Sequence, residues 1–218
     1  FRLLWTVFLM SPVVWGKKDV REELLHVNKK EFAFSALSGL FLAIHFALWF
    51  ESLQYTSVAS STSIVCTEVI WVALGFCLFL KGKLSKKAIL AIGITFAASL
   101  IIAYADSSAG DVHLYGDFLA LVAAIAVAVY TLLGRIVRKN VSTNVYTYVV
   151  YTSCAAVLLV TCLIQGYHLL DYGMSAVVVG LLLSVFSTIL GHSIFSWCLK
   201  YFSPAFVSAS KLCEPVVA

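Results

Sequence analysis

Charge is what this sequence has least of. Asp, Glu, Lys and Arg make up 12% of its 218 residues, against 61% hydrophobic residues, and the mean hydropathy is +0.97. A soluble domain of this length needs far more charge to cover its surface, so a water-soluble globule is excluded. Strict polar–apolar alternation is missing too, which excludes a closed β-barrel. The six cysteines (Cys66, Cys77, Cys154, Cys162, Cys198 and Cys213) lie in apolar blocks and form no CxxC, so they read as small core residues rather than disulfides or metal ligands. The net charge of +4 is not gathered into a basic face, which excludes nucleic acid as a partner. No paired-Asp metal motif, HExxH or nucleophile with a base is present, so no catalytic residue, cofactor or metal is expected. Asp106, Asp111 and Asp117 are the only acidic cluster near a span end, and solvation in an outer loop accounts for them. Phe1 to Gly16 lacks the basic start and small-residue cleavage site of a secretory signal.

What is present is long apolar runs. Ala88 to Tyr104 carries no charge, and Ser175 to Leu199 carries none, only His192. Such runs match the ~20 residues a helix needs to cross ~30 Å of hydrocarbon. The chain predicts membrane spans at Phe1–Trp15, Phe32–Leu53, Val58–Leu80, Ala88–Ala105, Asp117–Arg135, Thr143–Gln165 and Ser175–Tyr201, with a cut-off span from Pro204 to Ala218. Tyr and Trp mark many span ends, among them Trp15, Tyr55, Tyr104 and Tyr201, as expected of amphipathic rings at the headgroups. The chain opens and closes inside apolar stretches and reads as a fragment.

Basic residues sort to one side. Thirteen of the fifteen follow the first, third, fifth or seventh span, from Lys17 through Lys83 and Arg138 to Lys200; only Arg2 and Lys211 fall within or at the edge of spans. The alternate loops, Glu51–Ser57, Asp106–Gly116 and Gly166–Met174, contain no Lys or Arg. The positive-inside rule makes the basic side cytoplasmic. The glycosylation sequon Asn140-Val141-Ser142 falls on that side and is discounted.

A shift of 146 residues lays Leu53–Val72 on Leu199–Ala218 without a gap. Five positions coincide: Leu53/Leu199, Tyr55/Tyr201, Ser57/Ser203, Ala59/Ala205 and Glu68/Glu214. The buried Glu in both copies is the telling match. The shift moves five spans, an odd number, so the copies cross in opposite directions, as in inverted-repeat transporters. The fold expected is an all-α polytopic transmembrane bundle of two inverted repeats, 1–105 and 106–218. The register implies a missing helix at each end and ten spans in the complete protein.

Tyr55-Thr56-Ser57 opening a span, the Lys81–Ser85 cluster Lys-Gly-Lys-Leu-Ser closing it, Tyr201-Phe202-Ser203-Pro204 and then Leu212-Cys213-Glu214-Pro215-Val216 resemble the EamA-type drug/metabolite transporter repeat. The resemblance covers essentially the whole chain. It implies a non-enzymatic carrier in the cell membrane that moves amino acids, other metabolites or drug-like compounds by alternating access, often outward. Its partners would be a small-molecule substrate and the lipid bilayer; proton coupling and simple facilitation both stay open. Val69 stands where family members commonly have Pro, so no kink is expected there.

Candidate substrate-binding residues are the polar groups at membrane depth. A charge there costs at least ~2.5 kcal/mol and normally faces a cavity or a partner. Glu68 and Glu214 lie well inside their spans, and Glu68 has no partner on its own helix. Lys211 precedes Glu214 by three residues, which puts the two on one helix face as an expected pair; Pro215 would free the Lys211 carbonyl beside them. Ser184, Thr188, His192 and Ser196 recur every four residues in the seventh span, and Ser38, His45, Trp49 and Ser52 share a face of the second. Each His is a proton-relay or ligand candidate, or else an interhelical hydrogen bond. Trp49, Trp71, Tyr130 and Tyr151 could line a pocket or simply pack. The rows Ser35-Gly39-Ala43-Ala47 and Gly116-Ala120-Ala124-Ala128 read as helix-packing stripes. An intramembrane enzyme and a non-transporting helical scaffold are the rival readings; buried charge in both copies argues against the scaffold.

Overall fold

A computed structural model describes residues 1–107, 114–166 and 172–211, and among them there is no strand. Helix α1 spans Arg2–Gly16 and α2 Lys18–His26, followed by α3 (Lys29–Ser52), α4 (Val58–Cys66) and α5 (Glu68–Leu78). Next come α6 (Lys86–Ser107), α7 (Leu114–Val137), α8 (Thr143–Ile164) and α9 (Gly173–Leu182). A π-helical segment, Leu183–His192, joins α9 to α10 (Ser193–Tyr201), and α11 runs Pro204–Ser210. Among the described residues five stretches are long and apolar enough to cross a membrane: Lys29–Ser52, Val58–Leu78, Leu114–Val137, Thr143–Ile164 and Gly173–Tyr201.

Local chemistry sets the helix ends. Ser57, Ser142 and Ser203 are extended N-caps, and their hydroxyls accept from the backbone N–H of Ser60, Val145 and Phe206. Each satisfies a donor that the first turn leaves unpaired. Ser57 and Ser203 are equivalent under the 146-residue shift, so both copies start this helix with the same cap. Pro204 follows its cap at the first helical position, where its missing N–H costs nothing. Gly166, at φ +75°, ends α8 in the left-handed conformation that favours glycine.

The chain divides into two compact units, one of Phe1–Ala43 with Leu133–Tyr201, the other of Ile44–Leu132 with the chain from Phe202 onward. Each unit draws on both sequence repeats, so the spatial division and the repeat are different partitions of the chain.

In the first unit α1 packs against α8, α9 and the π-helical segment, around Leu3, Val14, Val145, Tyr146, Val150 and Tyr151. A Cβ on Gly39 would run into the Val150 carbonyl and lie 2.7 Å from the Ser153 Cβ. The small-residue stripe on α3 is therefore a close-packing surface for α8. Two residues of the polar stripe of the seventh span bond α1 side chains. Thr6 Oγ1 donates to Ser184 Oγ at 3.0 Å, and Arg2 Nε donates to Thr188 Oγ1 at 2.7 Å. Arg138, one of the loop cations in the sequence, is fully buried. Its guanidinium donates to the carbonyls of Ser196 and Val141 and to Thr143 Oγ1. Burial lowers its pKa, and Tyr146, Tyr201 and Glu23 act in the opposite direction. Arg135 donates to the Leu199 and Lys200 carbonyls at the end of α10, where a cation also suits the helix dipole. The discounted sequon is engaged as well: Asn140 Nδ2 donates to Glu31 Oε1 at 2.8 Å and the Ser142 backbone N–H to Glu23 Oε1 at 2.6 Å.

In the second unit α11 packs against α5 and α6, and α4 against α6. Val65, Ala120 and Ala123 form a buried cluster with Leu48, Trp49 and Ile64 against it. The second small-residue stripe is buried at Ala120, Ala124 and Ala128, and a Cβ on Gly116 would come within 2.9 Å of Thr56. Solvation does not account for Asp117: its Oδ1 accepts from Thr56 Oγ1 at 2.8 Å and Ser60 Oγ at 3.2 Å. It ties the start of α7 to the start of α4. Asp111 lies outside the described residues.

Candidate functional site

Helix α4 reads Val-Ala-Ser-Ser-Thr-Ser-Ile-Val-Cys, and all four hydroxyl residues, Ser60 to Ser63, are buried. Inside the membrane such groups need partners; Ser61 shares a 2.6 Å hydrogen bond with Ser52. The span then breaks at Thr67, which separates α4 from α5. Val69 stands in place of Pro, and the helix is nonetheless interrupted two residues before it. Thr67 Oγ1 donates to the Ile64 carbonyl at 2.6 Å, and the Thr67 backbone N–H bonds the same oxygen. A side chain that captures a carbonyl three residues back tightens the turn and competes with the i→i−4 ladder. A β-hydroxyl does here what proline does elsewhere. Irregular backbone at membrane depth is tolerated where protein or a water-filled cavity covers it.

Glu68 is the first residue after this break, and it is buried. Its partner comes from α11: Lys211 Nζ lies 2.8 Å from Glu68 Oε1, with 12% and 6% of the two side chains exposed. The sequence paired Lys211 with Glu214 on one helix face; the structure brings Lys211 to Glu68 on a different helix. Glu214 and Pro215 lie outside the described residues. Trp71 Nε1 and Ser208 Oγ are buried and have no hydrogen-bond partner among the described residues. Trp71 is three residues after Glu68 and Ser208 three before Lys211, so each shares a helix side with one member of the pair.

His45 and Trp49 form a second group in the same unit. The His45 ring stacks on Trp49 at 5.5 Å between centroids, and His45 Nδ1 bonds the Ala123 carbonyl at 3.0 Å. Trp49 Nε1 is a further buried N–H with no acceptor among the described residues. Tyr130 is buried on α7. Thr188 and His192 belong to the other unit, on the π-helical segment, where the Thr188 carbonyl also takes weak bonds from Tyr151 and Ser193. The sequence singled out neither Ser208 nor the Thr67 turn. Ser208 falls three residues before the half-buried Lys211, and that spacing was its available signal.

An apolar helical bundle with a charged pair at a broken span is a membrane-transport architecture, and the family comparison agrees. The model of the EamA-like transporter family matches residues 1–104 and again 114–218, as two repeats. The chain belongs to the EamA-like transporter family. This EamA-like protein is therefore a multi-pass membrane transporter of small solutes, and the membership implies a non-enzymatic one. Among solved structures, a protein crystal structure resembles it at TM-score 0.57 and 12% identity, over 99% of this chain and 86% of that one. At that identity the likeness speaks to fold alone. No curated protein matches the sequence.

Proposed function

We propose that the protein is an alternating-access carrier of organic solutes in the cell membrane, working in the direction of export, with its substrate site built around Glu68 and Lys211. The observation that carries this reading is the 2.8 Å ion pair between α5 and α11 at the Thr67 break. Stability alone does not account for such a pair, because exchanging a buried ion pair for well-packed apolar side chains is often neutral or stabilising. Half-helix ends at membrane depth are a recurrent place for carriers to hold charged substrate groups. His45, Trp49 and Tyr130 belong to the same unit and complete the site on this reading, with Glu214 following Lys211 in the chain. The two matched segments act as inverted repeats, with the Lys- and Arg-rich loops in the cytoplasm. The experiment is flux of labelled amino acids, sugars and amphipathic drugs from proteoliposomes of the full-length protein. Saturable flux of at least one solute, competed by its unlabelled form, is expected. Leak-level flux for the whole panel overturns the carrier reading.

A further inference from the structure

We infer that a groove between α2, α3 and α8 holds one acyl chain of an anionic phospholipid, taken from the leaflet at the basic end of the spans. The groove is a cavity of about 370 Å³ whose lining includes Leu24, Phe32, Ala36, Tyr148, Thr152 and Ala156. That is the size at which ligand pockets begin, about 300 Å³. Tyr148, Thr152 and Ala156 recur every four residues on α8 and so stand one above another. The eight residues from first to last rise about 12 Å, so the groove runs along the span from its basic end. It opens sideways: Phe32 is 48% exposed, and Thr152 and Ala156 are exposed too.

The wall suits hydrocarbon, because its hydroxyls are largely spent on the protein. Ser153 Oγ donates to the Ala36 carbonyl at 2.9 Å. The Tyr148 hydroxyl accepts from Trp15 Nε1 at 3.1 Å and shares a 3.2 Å hydrogen bond with Ser11. Trp15 and Tyr148 are also the kind of aromatic pair that settles at headgroup level. The mouth supplies charge. Lys29, Phe32 and Ala36 share one side of α3 by helical spacing, which sets Lys29 at the basic end of the groove. Lys29 makes no ion pair among the described residues. Two nearby carboxylates are engaged elsewhere, Glu23 by the Ser142 N–H and Glu31 by Asn140. Helix α2, which contributes Leu24, buries none of its residues and leaves Leu25 64% exposed. A charged helix with exposed leucines is built to lie in the membrane interface. An apolar slot that runs inward from a cation at headgroup level matches a phospholipid, with its phosphate at Lys29 and its chain along Tyr148 to Ala156. Basic pockets at span ends bind anionic headgroups in this way.

The test uses the purified full-length protein in detergent, with phosphatidylglycerol and phosphatidylcholine of equal chain length as probes. Native mass spectrometry should show one phosphatidylglycerol retained per chain, held about fivefold more tightly than phosphatidylcholine. Ala156→Phe fills an exposed stretch of the groove and should abolish that retention, with folded yield unchanged. Lys29→Gln should bring the two lipids close to parity while the chain still binds. Phosphatidylglycerol with a photoreactive diazirine in mid-chain should crosslink to the α8 peptide that carries Thr152 and Ala156. That last readout needs no variant and decides the matter if Ala156→Phe does not fold. Equal retention of the two lipids by the unaltered protein overturns the inference, as does retention undiminished in folded Ala156→Phe. Crosslinks confined to other helices overturn it too. A dimer that Ala156→Phe breaks would make the groove an interface between copies and overturn the lipid assignment.

Discussion

Glu68 and Lys211 neutralise one another across two helices, and that makes their substitution effects non-additive. Removing one partner leaves an uncompensated charge in a buried setting and costs about 3–5 kcal/mol. Glu68→Gln and Lys211→Met should therefore each lower folded yield and the thermal unfolding midpoint in detergent. The double variant should recover most of that loss, because no charge remains to be stranded, while transporting nothing. A double variant that transports normally would reduce the pair to a structural staple. Arg138 offers a contrast at the same scale. Its planar fork serves the Ser196 and Val141 carbonyls and Thr143 Oγ1 together, a geometry that a lysine ammonium cannot reproduce. It holds the end of α7 to α8 and α10 and needs no substrate to explain it.

Some elements pack here by close backbone approach at glycine. On α3, Gly39 lies so close to α8 that a Cβ would strike the Val150 carbonyl and the Ser153 side chain. Gly93 on α6 has nothing within 4 Å of the same added atom. Gly39→Ala should thus destabilise by about 1–3 kcal/mol through overpacking against backbone that cannot yield. Gly93→Ala should be neutral or stabilising by up to ~1 kcal/mol through helix propensity. The paired measurement is the unfolding midpoint of the two variants in one detergent. Equal midpoints would mean that α3 and α8 can separate without cost. The two interruptions, Thr67 in the third span and the π-helical Leu183–His192 in the seventh, arise without proline. In both spans hydroxyl side chains bond backbone carbonyls at or near the irregular turns, and these bonds compete with the regular ladder.

At the scale of the whole molecule the one-sided placement of Lys and Arg sets the orientation we propose. Single cysteines at Lys83 and Asp111, in a cysteine-free background, should react with an impermeant thiol reagent from opposite faces of the membrane. Lys83 should react from the cytoplasmic side. Labelling of both from one face would overturn the topology and the inverted relation of the repeats together.

The sequence by itself determined the class of solvent, the helical fold, the family and the presence of two repeats. Those follow from the length of the apolar runs and from motif order, which are local properties of the chain. It also marked Glu68 and Lys211, because a charge at membrane depth is conspicuous wherever it points. That Lys211 meets Glu68 was decided only by tertiary structure. Lys211 has Glu214 three residues on in the sequence and Glu68 far away, and helical spacing points only to the first. The packing of α11 on α5 brings the second to 2.8 Å. The polar stripe of the seventh span looked like a substrate lining and is half spent on α1, because its hydroxyls meet Thr6 and Arg2. Arg138 looked like a loop cation and is buried, since enough carbonyls converge on it to replace water. In each case at least one neighbour that fixes the side chain comes from a distant part of the chain, Ser196 for Arg138, and periodicity along one helix carries no information about it.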